Sequence, residues 1–134
     1  MNYQKIIPLI ARAFLAIIFI QSGISKIFNF AGTQETIAGV GLPFPAVALV
    51  ITILVEVAGG LMVLLGAKAR LGALLLVLFL ILATILFHNP IADSSQVTQF
   101  LKNLAIMGGL LMVFAYGPGL ISLETSSDSA KLSQ

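Results

Sequence analysis

The sequence predicts an all-α integral membrane protein, a bundle of four transmembrane helices. Three observations predict it. Of the 134 residues, 59% are hydrophobic and only 9% charged, with a mean hydropathy of +1.10; ordinary soluble domains carry roughly 25% charged residues. So little charge cannot make a water-facing surface, so lipid must be the solvent for most of the chain. Four stretches also reach the roughly 20 apolar residues that a helix needs to cross a bilayer. None of them alternates as a barrel strand would, which leaves helices to satisfy the backbone in lipid.

The first span is read over residues 6–28. It is expected to be retained, because no small-residue cleavage site follows a short apolar core. The next segment, NFAGTQETIAGVGLPFP (29–45), is interrupted by Gly and Pro, which block a continuous helix. Its middle, TQETIAGV, is expected to form a short interfacial helix with Thr33 as N-cap. The second span covers 46–66, and GAKAR (66–70) turns tightly into the third, 70–88. His88-Asn89-Pro90 ends that helix. Asp93 and Gln96 stand at capping-box spacing, which starts the fourth helix near Ser94. Its span is read as 100–122, weakened at the end by Gly117-Pro118-Gly119. Residues 1–122 thus make one domain, and 123–134 a polar, flexible tail. Lys5, Lys68, Arg70 and Lys131 lie on the side of the termini, Lys26 and Lys102 on the other. That bias places both termini in the cytoplasm.

Composition also narrows the chemistry. With no cysteine, the chain itself can make no disulfide, thiol relay, thiolate zinc site or cysteine-ligated iron–sulfur cluster. A net charge of +2 without a basic stripe gives no footprint for nucleic acid. A single histidine makes neither a metal cluster nor a bis-histidine haem site. No nucleophile–base pair or phosphate loop is present, so the sequence does not define an enzyme.

The residues that break the apolar pattern carry the functional reading, because ionisable groups inside a span usually face the bundle interior. On the first helix Arg12, Ala16, Phe19, Gly23 and Lys26 share an arc of about 80°. On the second, Thr52, Glu56, Gly59, Gly60 and Val63 share a face. On the third, Arg70 and His88 are five whole turns apart, with Thr84 one turn before His88. On the fourth, Lys102, Ile106, Gly109, Val113 and Tyr116 repeat the spacing of the first. Pointing all four stripes at one axis is the simplest packing. Gly23, Gly59, Gly60, Gly108 and Gly109 are then notches for close helix approach.

Glu56 lies at the centre of the second span and needs a cation. A guanidinium forks onto a carboxylate through two bonds and stays charged when buried, so Arg12–Glu56 is the expected buried ion pair. A shift of the first helix by one turn would bring Lys26 there instead. Lys26, His88 and Lys102 are read as a cationic pocket near the outer face, beneath the segment carrying Glu35, and Asn103 and Tyr116, on the same helix as Lys102, as further candidates for a ligand or polar pocket. Such a pocket suits an anion or the carbonyl oxygens of a quinone head group. Each residue also has a plainer reading: a register-fixing ion pair, snorkelling lysines, an orientation anchor at Arg70 and a helix-end hydrogen bond at His88.

Together, RAFLAIIFIQSGISKIFNF, GLP at 41–43, EVAGGLMVLLGAKAR, His88 at a helix end and FLKNLAIMGGLL resemble the DoxX family, over about residues 8–115. The resemblance implies a four-helix protein of the bacterial cytoplasmic (inner) membrane. It also implies an accessory role in a quinone-linked or stress-related membrane oxidoreductase system, with Arg12, Lys26, Glu56, His88, Lys102 and Asn103 at the positions that mark the family. Without cysteine, any thiol redox role would have to come from an oxidoreductase partner. Two other classes of function stay open. One is a small transporter or channel using a mid-membrane Glu56, which would need a homo-oligomer because four helices make a narrow path. The other is a purely structural or assembly protein.

Overall fold

The computed structural model describes residues 2–125, and five α-helices are the main elements of these described residues. They are α1 (Tyr3–Phe28), α2 (Phe30–Gly39), α3 (Pro45–Leu65), α4 (Ala69–Phe87) and α5 (Val97–Tyr116), the last led in by a 3₁₀ turn at Ser94–Gln96. The described residues contain no strand. Four of the helical segments, α1, α3, α4 and Ser94–Tyr116, are long and apolar enough to cross a membrane. They pack in the ring order α1–α3–α4–α5, closed by a narrower seam between α5 and α1, and α2 lies mainly on α3.

The outer surface is apolar, as lipid requires: Phe14, Ile17, Leu54, Leu78, Ile85 and Met112 are all exposed. The axis of the bundle is filled by Ala16, Val63, Ala69, Ala73, Leu76 and Leu110. Lipid tails are as apolar as these side chains, so close packing rather than the hydrophobic effect holds the helices together. Small residues permit that packing. A Cβ on Gly60 would stand 2.7 Å from Ile20 Cγ1, and one on Gly23 2.6 Å from Val57 Cγ2. Gly59 faces Leu76 and the Gly72 carbonyl, and Gly109 faces Leu15. Gly108, also expected to be a notch, points outward with nothing within 4 Å of its added Cβ. Gly60→Ala should therefore cost about 1–3 kcal/mol through overpacking. Gly108→Ala should gain about 0.5–1 kcal/mol from helix propensity. Thermal unfolding in detergent tests the pair, and shifts of the same sign would sink the assignment of the two faces.

The helix ends depart from expectation in three places. α2 begins after Asn29, and Thr33 lies inside it, donating its hydroxyl back to the Asn29 carbonyl. Thr33 is therefore not the N-cap; a threonine hydroxyl one turn into a helix has that carbonyl within reach. At the start of the fourth span, Asp93 does act as the cap. It accepts from the Ser95 hydroxyl at 2.7 Å and the Ser95 N–H at 3.0 Å, and these bonds hold its carboxyl below the usual carboxylate range. Gln96 does not complete a capping box, because its side-chain oxygen lies 2.9 Å from His88 Nδ1.

The fourth span ends at Tyr116 rather than at 122. Gly117 has φ +80°, and Gly119 at φ +89° packs on Pro8. Residues 117–125 instead fold back beneath the end of the bundle where α1 begins. There Ser122 caps a short turn by accepting from the Thr125 N–H at 3.0 Å, the Thr125 hydroxyl donates to the Gly119 carbonyl at 2.8 Å, and the Glu124 N–H donates to the Gly66 carbonyl at 3.1 Å. Leu123, Glu124 and Thr125, expected in the flexible tail, belong to this turn; residues 126–134 of that tail lie outside the described residues.

Candidate functional site

The antiparallel contact of α1 with α3 decides which charges meet. Gly23 lies against the Cβ of Glu56 and the side chain of Val57, while Ile20 and Ala16 lie against Gly60. Each turn taken forward on α1 therefore goes about one turn back on α3. Arg12 falls beside Val63 and Leu64, and Lys26 falls close to Glu56. The ion pair is Lys26–Glu56, with Nζ 2.8 Å from Oε1. The expected Arg12–Glu56 pair does not form: the glycine notches fix a register that leaves Arg12 well past Glu56. Lys26 also donates to Ser22 Oγ at 2.7 Å, one turn back on its own helix.

Arg12 is 1% exposed and has a different role. Its Nη1 donates to the carbonyls of Val63 and Leu64, both at 3.2 Å, and its Nη2 to the carbonyl of Ile121. The last carbonyls of α3 have no partner within their helix, and the guanidinium supplies one while fastening the returning segment. The site depends on Gly66, which has φ +70° and where a Cβ would lie 2.5 Å from Arg12 Nη1 and collide with Ser122.

At the opposite end of the bundle, between the helices and beneath α2, is a cavity of about 540 Å³. Small-molecule sites span roughly 300–1,000 Å³. Most of its wall is apolar, including Ile18, Phe19, Leu42, Phe79, Leu82 and Ile106. Ile18 and Leu82, on its wall, are also exposed on the outer surface, so the cavity wall reaches the lipid-facing side of the bundle. Its polar lining is Ser22, Lys26, Thr52 and Glu56 on one side, His88, Gln99 and Asn103 on the other, and Thr33 and Thr36 of α2. Gln99 Nε2 donates to Asn103 Oδ1, Asn103 Nδ2 to Thr84 Oγ1, and Thr84 Oγ1 to the Leu80 carbonyl, at 2.9, 2.9 and 2.6 Å. His88 closes α4 as its C-cap. Its Nδ1–H donates to Gln96 Oε1, which leaves Nε2 an acceptor in the neutral ring.

Lys26, His88 and Asn103 thus line one cavity. Lys102 and Tyr116 do not line it: both are exposed, Tyr116 to 75%. The inward face of α5 is Asn103, Ile106, Leu110 and Val113, one residue on from the expected stripe over part of its length. A buried asparagine with two partners takes the inside and sends the neighbouring lysine to the interface. Arg70 is likewise outside, with its guanidinium over Gly117, because α4 turns Ala69, Gly72, Ala73 and Leu76 inward. The pocket is therefore not cationic: its one lysine is paired with its one carboxylate. Sequence reasoning missed Gln99, Gly66, Gly72 and the Ser122–Thr125 turn. For Gly66 a signal was available, since a glycine just past an apolar helix often marks a left-handed C-cap.

Fold and polar interior together define a four-helix multi-pass membrane protein with a lateral cavity in one half. The DoxX family model matches residues 7–89, and the chain belongs to that family. It is 39% identical over 116 residues to inner membrane protein YqjF of Escherichia coli K12, covering 87% of this chain and 88% of the relative. To inner membrane protein YphA of the same organism it is 32% identical over 126 residues, covering 90% of each. No solved structure matches the chain. The protein is thus a multi-pass protein of the inner membrane.

Proposed function

We propose that this protein holds a small, neutral, lipophilic molecule of the quinone class in its lateral cavity, and does so as the accessory subunit of a membrane oxidoreductase. The observation that carries this is the cavity itself: apolar walls that reach the lipid-facing side, and one polar end with its charges balanced. A net anion would meet the Glu56 carboxylate, whereas a neutral head group meets groups that still have hydrogen-bonding capacity. Lys26 keeps one N–H beyond its bonds to Ser22 and Glu56, and Asn103 keeps one beyond Thr84. The oxidoreductase part rests on the family resemblance, since the chain brings no thiol or metal ligand set of its own.

The transport alternative fits the interior less well. Between Glu56 and the end where α1 begins, the axis is packed with Ala16, Val63, Leu76 and Leu110, and Arg12 donates to three carbonyls beyond them. A proton or ion path from Glu56 would have to open that packing.

The test is mass spectrometry of the organic extract of gently purified protein, beside Ala83→Phe. Ala83 lines the cavity, and a phenyl ring there fills it without adding charge. The unaltered protein should yield a lipophilic ligand near one per chain, and Ala83→Phe at least tenfold less at unchanged yield of folded protein. An extract empty of anything but bulk lipid from both proteins would refute the reading.

A further inference from the structure

Glu56 is 1% exposed and borders the cavity. One of its carboxylate oxygens accepts from Lys26; the other, Oε2, is buried with no hydrogen-bond donor among the described residues. A buried carboxylate oxygen without a donor is costly, and the final torsion of a glutamate side chain is soft. The carboxyl can therefore turn either oxygen toward the cavity without moving α3. Beside it stands Lys26, with an N–H to spare. The polar end of the cavity thus pairs an unmet acceptor with an available donor on adjacent side chains.

From this pairing we infer that the cavity selects a hydroxyl-bearing head, the hydroquinone rather than the quinone form of its ligand. With the carboxyl turned so that its unmet oxygen faces the cavity, a hydroxyl matches both groups at once: its O–H donates to that Glu56 oxygen and its own oxygen accepts from Lys26 Nζ. A carbonyl can accept from Lys26 but leaves Oε2 unmet. An ether matches no better, since it has no proton to give. The bond to the carboxylate is charge-assisted, roughly twice as strong as one between neutral groups. His88 lines the other side of the same cavity, and in its neutral form Nε2 is a second acceptor. The inference rests on the proposed ligand-holding role and adds which redox form is held. It requires no electron transfer within this chain.

The experiment compares four probes on the unaltered protein in nanodiscs, under anaerobic conditions, by equilibrium binding. The probes are a decyl-substituted hydroquinone, its quinone, its dimethyl ether and a long-chain alkanol of matched size. The hydroquinone should bind at least about tenfold tighter than the quinone and the ether, the ratio set by one hydrogen bond to a charged group. Equal binding of hydroquinone, quinone and ether would overturn the inference and leave the ligand-holding role intact. An alkanol that matches the hydroquinone would overturn the assignment to a hydroquinone. No binding of any probe, when the organic extract does contain a ligand, would reject the hydroquinone class alone; no binding with an empty extract would reject both readings.

Discussion

Lys26→Met should destabilise the protein by about 3–5 kcal/mol, the range for removing one partner of a buried ion pair. The loss is large because Glu56 is fixed in place, with Gly23 packed on its Cβ, and the substitution leaves its carboxylate without a cation. The attraction itself contributes little net stability, because Glu56 lost its water, and Lys26 most of its own, to form it. The double variant Lys26→Met, Glu56→Leu should therefore recover most of what the single change loses. Unfolding temperature and monodispersity in detergent would measure both. A double variant as unstable as Lys26→Met would show that the pair is worth more than the cost of burying its charges, against this account.

The second large effect is expected at Arg12. Arg12→Leu removes the donors to the carbonyls of Val63, Leu64 and Ile121, the first buried and the other two part-buried, and each then loses that bond. At roughly 1–3 kcal/mol for each unmet group, partly offset by rearrangement, the loss should be about 3–5 kcal/mol. Protease should also cut residues 117–125 more readily than in the unaltered protein. Arg12→Lys should restore only part of the stability, since one ammonium cannot match the spread of a guanidinium fork. If Arg12→Leu kept its protease resistance and its unfolding temperature, the guanidinium would not be what fastens that segment.

That the chain has four membrane-crossing helices was legible because hydropathy over 20 residues is a large signal that no local contact reverses; where the fourth ends, at Tyr116 rather than 122, was not. The inward faces of α1 and α3 were legible for a related reason: Arg12, Glu56 and the glycines are too costly or too small to face lipid by chance. The pairing between those faces was not. Arg12 and Lys26 lie on one stripe, and only the register of α1 on α3 chooses between them. Gly23 opposite Glu56 and Val57 sets that register, but the sequence does not say which residue a notch receives. On α5 the stripe through Lys102 and the one through Asn103 differ by a single residue, a rotation of about 100°. Charge alone pointed to the lysine, whereas two hydrogen bonds, to Thr84 and Gln99, turn the asparagine inward. The balanced charge of the cavity follows from these two assignments together.

The guanidinium of Arg12 also sets an order of events in time. Arg12 enters the bilayer with the first helix, but its acceptors lie 51, 52 and 109 residues further along the chain. At the pace of synthesis, Ile121 leaves the ribosome roughly 5–20 s after Arg12. Through that interval the charge must be met by water or lipid head groups at the membrane surface, so the first helix cannot take its final depth alone. The pairing of α1 with α3 frees it from the surface, and the arrival of Ile121 locks it. A stretch of chain made 109 residues later thus completes the seat of Arg12.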